Sequence, residues 1–138
     1  MSTYVDSSVL LRCVLGEPGA LRLADLDPGH TSALAEVECL RTLDRLHLKG
    51  RLSADDLAER RAVIFRLLEA LEVVGLSASV LRRAAEPFPT TLGTLDALHL
   101  ATALLWQAQH PREGAAFATH DAELARAACA CGLELVGT

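Results

Sequence analysis

The chain has 138 residues, of which 51% are apolar and 22% charged, with a formal net charge of −5. No stretch approaches the roughly 18 uncharged apolar residues of a membrane span, and Met1-Ser2-Thr3-Tyr4-Val5-Asp6 has no basic region of a secretory signal. The expectation is one soluble, helix-rich domain over residues 1–138 in the cytoplasm, too acidic to coat nucleic acid by bulk electrostatics but free to handle RNA locally.

Turn signals divide the chain into short elements. Thr3-Tyr4-Val5 predicts a first strand, and Asp6-Ser7-Ser8 starts a helix carrying Val9, Leu10, Cys13 and Val14. Gly16–Gly19 ends that helix, and Ala20–Leu26 predicts a second short one. His30–Ser32 reads as a brief strand leading into Ala33–Leu48, where Leu34, Val37, Leu40, Leu43 and Leu46 recur at helical spacing. Ser53-Ala54-Asp55-Asp56 has the form of a capping box opening a long helix. Val73-Val74, within Glu72–Leu76, suits a buried strand, and Ser77–Glu86 a helix stopped by Pro87 and Pro89. Thr94–Gln109 is the most apolar helix and the one expected to be most buried. Ala115–Ala118 (strand), Asp121–Cys131 (helix) and Leu133–Val136 (strand) close the chain. Strands alternating with helices imply an α/β fold: a mainly parallel sheet covered on both faces.

Four acids stand out against this frame. Asp6 and Asp121 each follow an apolar run that reads as a strand. Asp96 opens the apolar helix, and Glu38 lies in the amphipathic Ala33–Leu48 stretch. Taken singly, each has an ordinary explanation. Asp6 and Asp121 suit helix N-caps, Asp96 suits a first helical turn, and Glu38 can pair with Arg41 or Arg45. Jointly the ordinary readings weaken. Ligands in an open parallel sheet bind beyond the carboxyl ends of the strands, where such acids tend to gather. An unpaired acid within the apolar helix is costly to bury, and only Lys49 among the basic residues is a lysine. A divalent cation is the usual remedy for gathered carboxylates. Oxygen donors without a Cys/His cluster favour Mg²⁺ or Mn²⁺ over zinc. The four cysteines, Cys13, Cys39, Cys129 and Cys131, show no zinc spacing and read as buried free thiols.

Several segments then resemble those of PIN-domain ribonucleases, in order and over nearly the whole chain. Tyr4-Val5-Asp6-Ser7-Ser8-Val9-Leu10 looks like their opening strand and acid, and Val37-Glu38-Cys39-Leu40-Arg41-Thr42-Leu43 like their second acidic helix. Leu95-Asp96-Ala97-Leu98-His99-Leu100-Ala101-Thr102-Ala103 is similar to their most distinctive segment, and Ala118-Thr119-His120-Asp121-Ala122-Glu123-Leu124 to their closing block. A chain of this size looks most like the VapC toxins of toxin–antitoxin pairs. The resemblance implies a three-layer α/β/α fold and a site in which Asp6, Glu38, Asp96 and Asp121 bind Mg²⁺ or Mn²⁺. It also implies cleavage of structured RNA (tRNA or rRNA) that inhibits translation, a cognate antitoxin, and a homodimer.

Within that reading Asp6, Glu38 and Asp96 contact the metal directly or through water, and Asp121 orients the attacking water or completes a second ion's shell. Thr119 is expected to bond a carboxylate or a water of the site, and Arg12, Arg41 and Arg45 to hold phosphates. Neither His99 nor His120 matches a catalytic role, and both read as hydrogen-bonded structural histidines. A phosphoacceptor receiver domain would need adjacent early acids and a lysine beyond the last buried strand. A haloacid-dehalogenase-like phosphatase would need a second acid where Ser8 stands. The remaining alternative is a non-catalytic PIN-fold domain that binds metal or protein.

Overall fold

The computed structural model of the chain describes residues 1–137. Its strands are β1 (Ser2–Val5), β2 (Gly29–Ser32), β3 (Glu72–Val74), β4 (Ala115–Ala118) and β5 (Glu134–Val136). Its helices are α1 (Ser7–Leu15), α2 (Ala33–Leu48), α3 (Ala54–Glu69), α4 (Ala78–Ala84), α5 (Thr94–Gln109) and α6 (Ala122–Ala130).

The strands form one parallel sheet in the order β3-β2-β1-β4-β5, with Tyr4 opposite His30 on one side and Phe117 on the other. Successive strand residues face opposite sides of a sheet, and here this divides the core in two. Val5 and Ala118 pack with Val9, Leu10, Cys39, Leu43 and Ile64, under α1, α2 and α3. Tyr4 and Phe117 pack with Leu100, Ala103, Leu124 and Ala128, under α5 and α6. The result is the expected three-layer α/β/α arrangement, with α4 packed on α5.

Local chemistry fixes the elements. Gly16, at φ 66°, ends α1 in the left-handed conformation that glycine adopts freely, its N–H donating to Cys13 O. Gly29 has no room for a side chain, since a Cβ there would stand 2.7 Å from Leu71 Cδ2 and 2.8 Å from Leu26 O. Ser53 caps α3 by accepting from Asp56 N at 3.0 Å. As its apolar run predicts, α5 is deeply buried, with Ala97, His99, Leu100, Ala101 and Trp106 all enclosed.

Three expectations need correction. Ala20–Leu26 is not an α-helix: only Leu23–Leu26 forms a turn of 3₁₀ helix. The seven residues between the Pro18-Gly19 and Asp27-Pro28 turns are too few to repay helix nucleation. Val73 and Val74 do form a strand, but β3 lies at the sheet edge and Val73 is 43% exposed. Of the cysteines only Cys39 is buried; Cys13 and Cys131 are half-buried and Cys129 is exposed, all as free thiols. Among the described residues, no helix is long and apolar enough to cross a membrane.

Candidate active site

β1 leads across to β2 and β3, while β4 and β5 lie on its other side. The crevice at the carboxyl ends of β1 and β4 is therefore the switch point at which open α/β sheets bind ligands. Asp6 follows β1 directly, and Thr119-His120-Asp121 follows β4.

Asp6 is buried and caps α1. Its Oδ1 accepts from Ser8 Oγ at 2.6 Å and Val9 N at 3.2 Å, and its Oδ2 accepts from Thr119 Oγ1 at 2.6 Å. Burial raises its carboxyl above the ordinary range, and the Ser8 and Thr119 bonds oppose that shift. These hydroxyls also tie the two strand ends together. Ser8 Oγ accepts from His120 N at 2.9 Å, and Thr119 Oγ1 accepts from Asp121 N at 3.0 Å. Thr119 thus bonds a carboxylate, one of the two roles expected of it. Asp121 stands at the exposed rim and caps α6, accepting from Glu123 N and Leu124 N.

Asp96 lies in the first turn of α5, partly enclosed. Burial raises its carboxyl first and Asp121 next, with Asp6 and Glu38 adding to the rise; His99 opposes it. The cap roles of Asp6 and Asp121 are real, yet these acids and Glu38 also act on Asp96. Asp96, in α5, is thus acted on by acids that follow β1, lie in α2 and follow β4.

Glu38 reaches this environment from α2, and its carboxylate Oε1 accepts from His99 Nε2 of α5. On its other edge, His99 Nδ1 meets the Tyr4 hydroxyl at 2.6 Å. Burial, with Asp6 and Glu38 nearby, pushes the Tyr4 phenol well above its usual range, so it keeps its proton. His99 and His120 are both hydrogen-bonded, His120 through Nδ1 and Gly137 O at 2.9 Å. His99, however, bonds Glu38, one of the four candidate acids. The sequence alone does not mark Ser8 or Tyr4 as site residues. The one available signal is Ser8, two residues past Asp6 and able to bond back to it. No local signal joins Glu38 to a histidine 61 residues away.

The three arginines divide. Arg41 and Arg45 line a groove of about 480 Å³ with Glu38, Ser7, Ser8, Val37 and Leu95. Arg41 pairs with Asp44 at 3.0 Å and Arg45 donates to Thr42 Oγ1 at 3.2 Å, both at the surface. Such exposed contacts contribute little and are readily exchanged for a phosphate. Arg12 lies elsewhere, in a hollow of about 210 Å³ with His120 and Asp121. A hollow of about 490 Å³ between α4 and α5 contains none of the four acids.

The donor set suits a hard divalent cation, being carboxylate oxygen throughout, with mutual repulsion that such a charge would relieve. Among the described residues, no three Asp, Glu, His or Cys side chains are grouped closely enough to hold a metal as they stand. The acids act on Asp96 without yet forming a coordination sphere.

The family profile described as PIN domain matches residues 3–129. Ribonuclease VapC47 of Mycobacterium tuberculosis is 34% identical over 129 residues, covering 88% of this chain and 85% of its own. Ribonuclease VapC46 of the same species is 36% identical over 104 residues, 72% of each chain. Among solved structures, a chain of a toxin–antitoxin complex from Klebsiella pneumoniae superposes with a TM-score of 0.64 at 17% identity, covering 90% of this chain and 91% of that one. The protein PAE2754 of Pyrobaculum aerophilum does so with a TM-score of 0.66 at 20% identity, covering 99% and 84%. These two likenesses concern the fold.

Proposed function

The chain belongs to the PIN-domain family, and we propose that it is a metal-dependent endoribonuclease, the toxin of a VapBC-type toxin–antitoxin pair. What supports this reading is the position of Asp6 and Asp121 just beyond the paired carboxyl ends of β1 and β4, with Glu38 joined to α5 through His99 and the Asp96 carboxyl raised by burial and by the neighbouring acids. The relatives named ribonucleases supply the reaction class.

Asp6, Glu38 and Asp96 would hold Mg²⁺ or Mn²⁺, with Asp121 at the rim. When bound, such an ion supplies positive charge that acidifies water and offsets charge building on the phosphate. The chain's own residues do the rest. Ser8, Thr119 and the Val9 N–H hold the Asp6 carboxylate in one orientation. Asp121, exposed and fixed by two backbone donors, would orient the attacking water or complete a second ion's shell. Arg41 and Arg45 hold flanking phosphates along the groove that leads from Glu38. Arg12 serves the Asp121 side. The substrate is structured cellular RNA, tRNA or rRNA, cut so as to inhibit translation in the cytoplasm. A cognate antitoxin restrains the toxin, which acts as a homodimer.

The test is incubation of antitoxin-free protein with total cellular RNA in Mg²⁺, in Mn²⁺ and in EDTA, beside Asp96→Asn. Discrete fragments that require metal and disappear in the variant support the proposal. Metal binding without cleavage would favour a non-catalytic domain, and cleavage by Asp96→Asn with unchanged metal dependence would remove Asp96 from the site.

A further inference from the structure

His99 is a buried imidazole in the most apolar helix of the chain, and both of its ring nitrogens are engaged. The Glu38 carboxylate can only accept, so Nε2 carries the hydrogen of that bond. Nδ1, on the other edge of the ring, is bonded to the Tyr4 hydroxyl at 2.6 Å. Tyr4 is itself fixed: it has no exposed surface, stacks on Phe117 at 5.1 Å between centroids and meets the His30 ring edge-on at 5.5 Å. Hydrogen bonds therefore run unbroken from a phenol anchored in β1, through an imidazole of α5, to a carboxylate of α2. The chain of bonds ends on a side chain that lines the arginine groove and remains partly exposed.

We infer that Tyr4 and His99 are positioning residues for Glu38, holding its Oε1 so that the other carboxylate oxygen is presented to the crevice. This rests on the acidic-site reading proposed above. A histidine serving only as core filler has no need of a carboxylate partner at a crevice. A carboxylate on a flexible Glu side chain, by contrast, has rotamers to lose on binding a cation. Groups that orient a ligating carboxylate typically contribute 10- to 100-fold in metal affinity. The pair also links the two faces of the crevice, since α2 and α5 lie on opposite sides of the sheet.

The test uses Mn²⁺ alone as probe, with its dissociation constant measured by electron paramagnetic resonance, next to thermal melting and RNA cleavage. His99→Leu is expected to weaken Mn²⁺ binding about 10- to 100-fold. His99→Gln, which can still donate to Glu38, should recover most of that loss. Tyr4→Phe removes one hydroxyl and keeps the ring stack, so it should fall between, and it serves in place of His99→Leu if that variant melts early. In a Glu38→Gln background, His99→Leu should have no further effect, because its influence passes through Glu38.

Unchanged affinity in a well-folded His99→Leu, tighter binding, or an undiminished loss in the Glu38→Gln background would each overturn the inference. Tighter binding would make His99 a competitor for Glu38. Absence of Mn²⁺ binding in the native protein would overturn it together with the metal-site reading. Native protein that binds Mn²⁺ but cuts no RNA removes the ribonuclease proposal alone, and the variants' affinities still decide the role of His99.

Discussion

His30 couples folding to pH, and replacing it with phenylalanine exposes that coupling. The imidazole sits in β2 with no exposed surface, stacked on Trp106 at 4.1 Å and edge-on to Tyr4 at 5.5 Å. Nδ1 shares a 2.8 Å hydrogen bond with Ser2 Oγ, and Nε2 has no partner among the described residues. Burial, helped by His110, lowers this group from 6.5 to about 4. The unfolded chain therefore takes up a proton near pH 6.5 that the folded chain refuses until about pH 4. Between those values the unfolded state holds more protons, so stability is full above about pH 6.5 and falls as the pH falls. At 1.36 kcal/mol per pH unit, the interval amounts to at most about 3 kcal/mol by about pH 4. The phenylalanine ring of His30→Phe cannot take up the proton. The substitution's own cost at about pH 7.5, from stranding Ser2 Oγ, is on the order of 1 kcal/mol, offset in part by removing the unpartnered Nε2. Urea unfolding followed by far-ultraviolet circular dichroism, at steps from about pH 7.5 to about 4.5, measures both chains. The native protein should lose stability relative to His30→Phe steadily below about pH 6.5. Parallel curves across that range would refute the reasoning.

Other expected outcomes follow from single contacts. Thr119→Val deletes the donor to Asp6 and the acceptor for Asp121 N; a loss of about 1–3 kcal/mol is expected in denaturant melts, with weakened cleavage. Asp96→Asn removes a partly buried charge that Asp121, Asp6 and Glu38 disfavour, so its melting temperature should equal or exceed that of the native protein even as cleavage is lost. Arg41→Ala and Arg45→Ala should raise KM for RNA with little change in kcat, and should flatten the salt dependence of binding. The Cys39 thiol is buried and pushed up to about 12, while Cys129 is exposed. Maleimide labelling read by mass spectrometry should modify Cys129 first and Cys39 only on unfolding.

Much of this was legible in the sequence because local pattern and burial agree. Thr3-Tyr4-Val5 before an acid marks a strand that ends at a cap, and the structure places β1 and α1 there. The apolar run of α5 announces its burial. Where local pattern misled, the missing information was the neighbour. Val73-Val74 is as apolar as a central strand, but among the described residues β3 pairs with β2 alone, so one edge stays open. Cys129 shares a helix phase with buried Ala125, yet phase does not say where the covering surface ends. At the site, the four acids were legible as types at strand ends and helix starts. Their partners were less so. The Tyr4–His99–Glu38 link joins residues of β1, α5 and α2, and each alone reads as ordinary core or surface.

The central claim is that four acids remote in sequence form one cation-binding centre. Diffraction at the manganese absorption edge from crystals soaked in Mn²⁺ tests it most directly. The account predicts an anomalous peak in the crevice between the ends of β1 and β4, within coordination distance of Asp6 and Asp96, and its loss in Asp96→Asn crystals. A peak held by other residues, or none at saturating Mn²⁺, would contradict it.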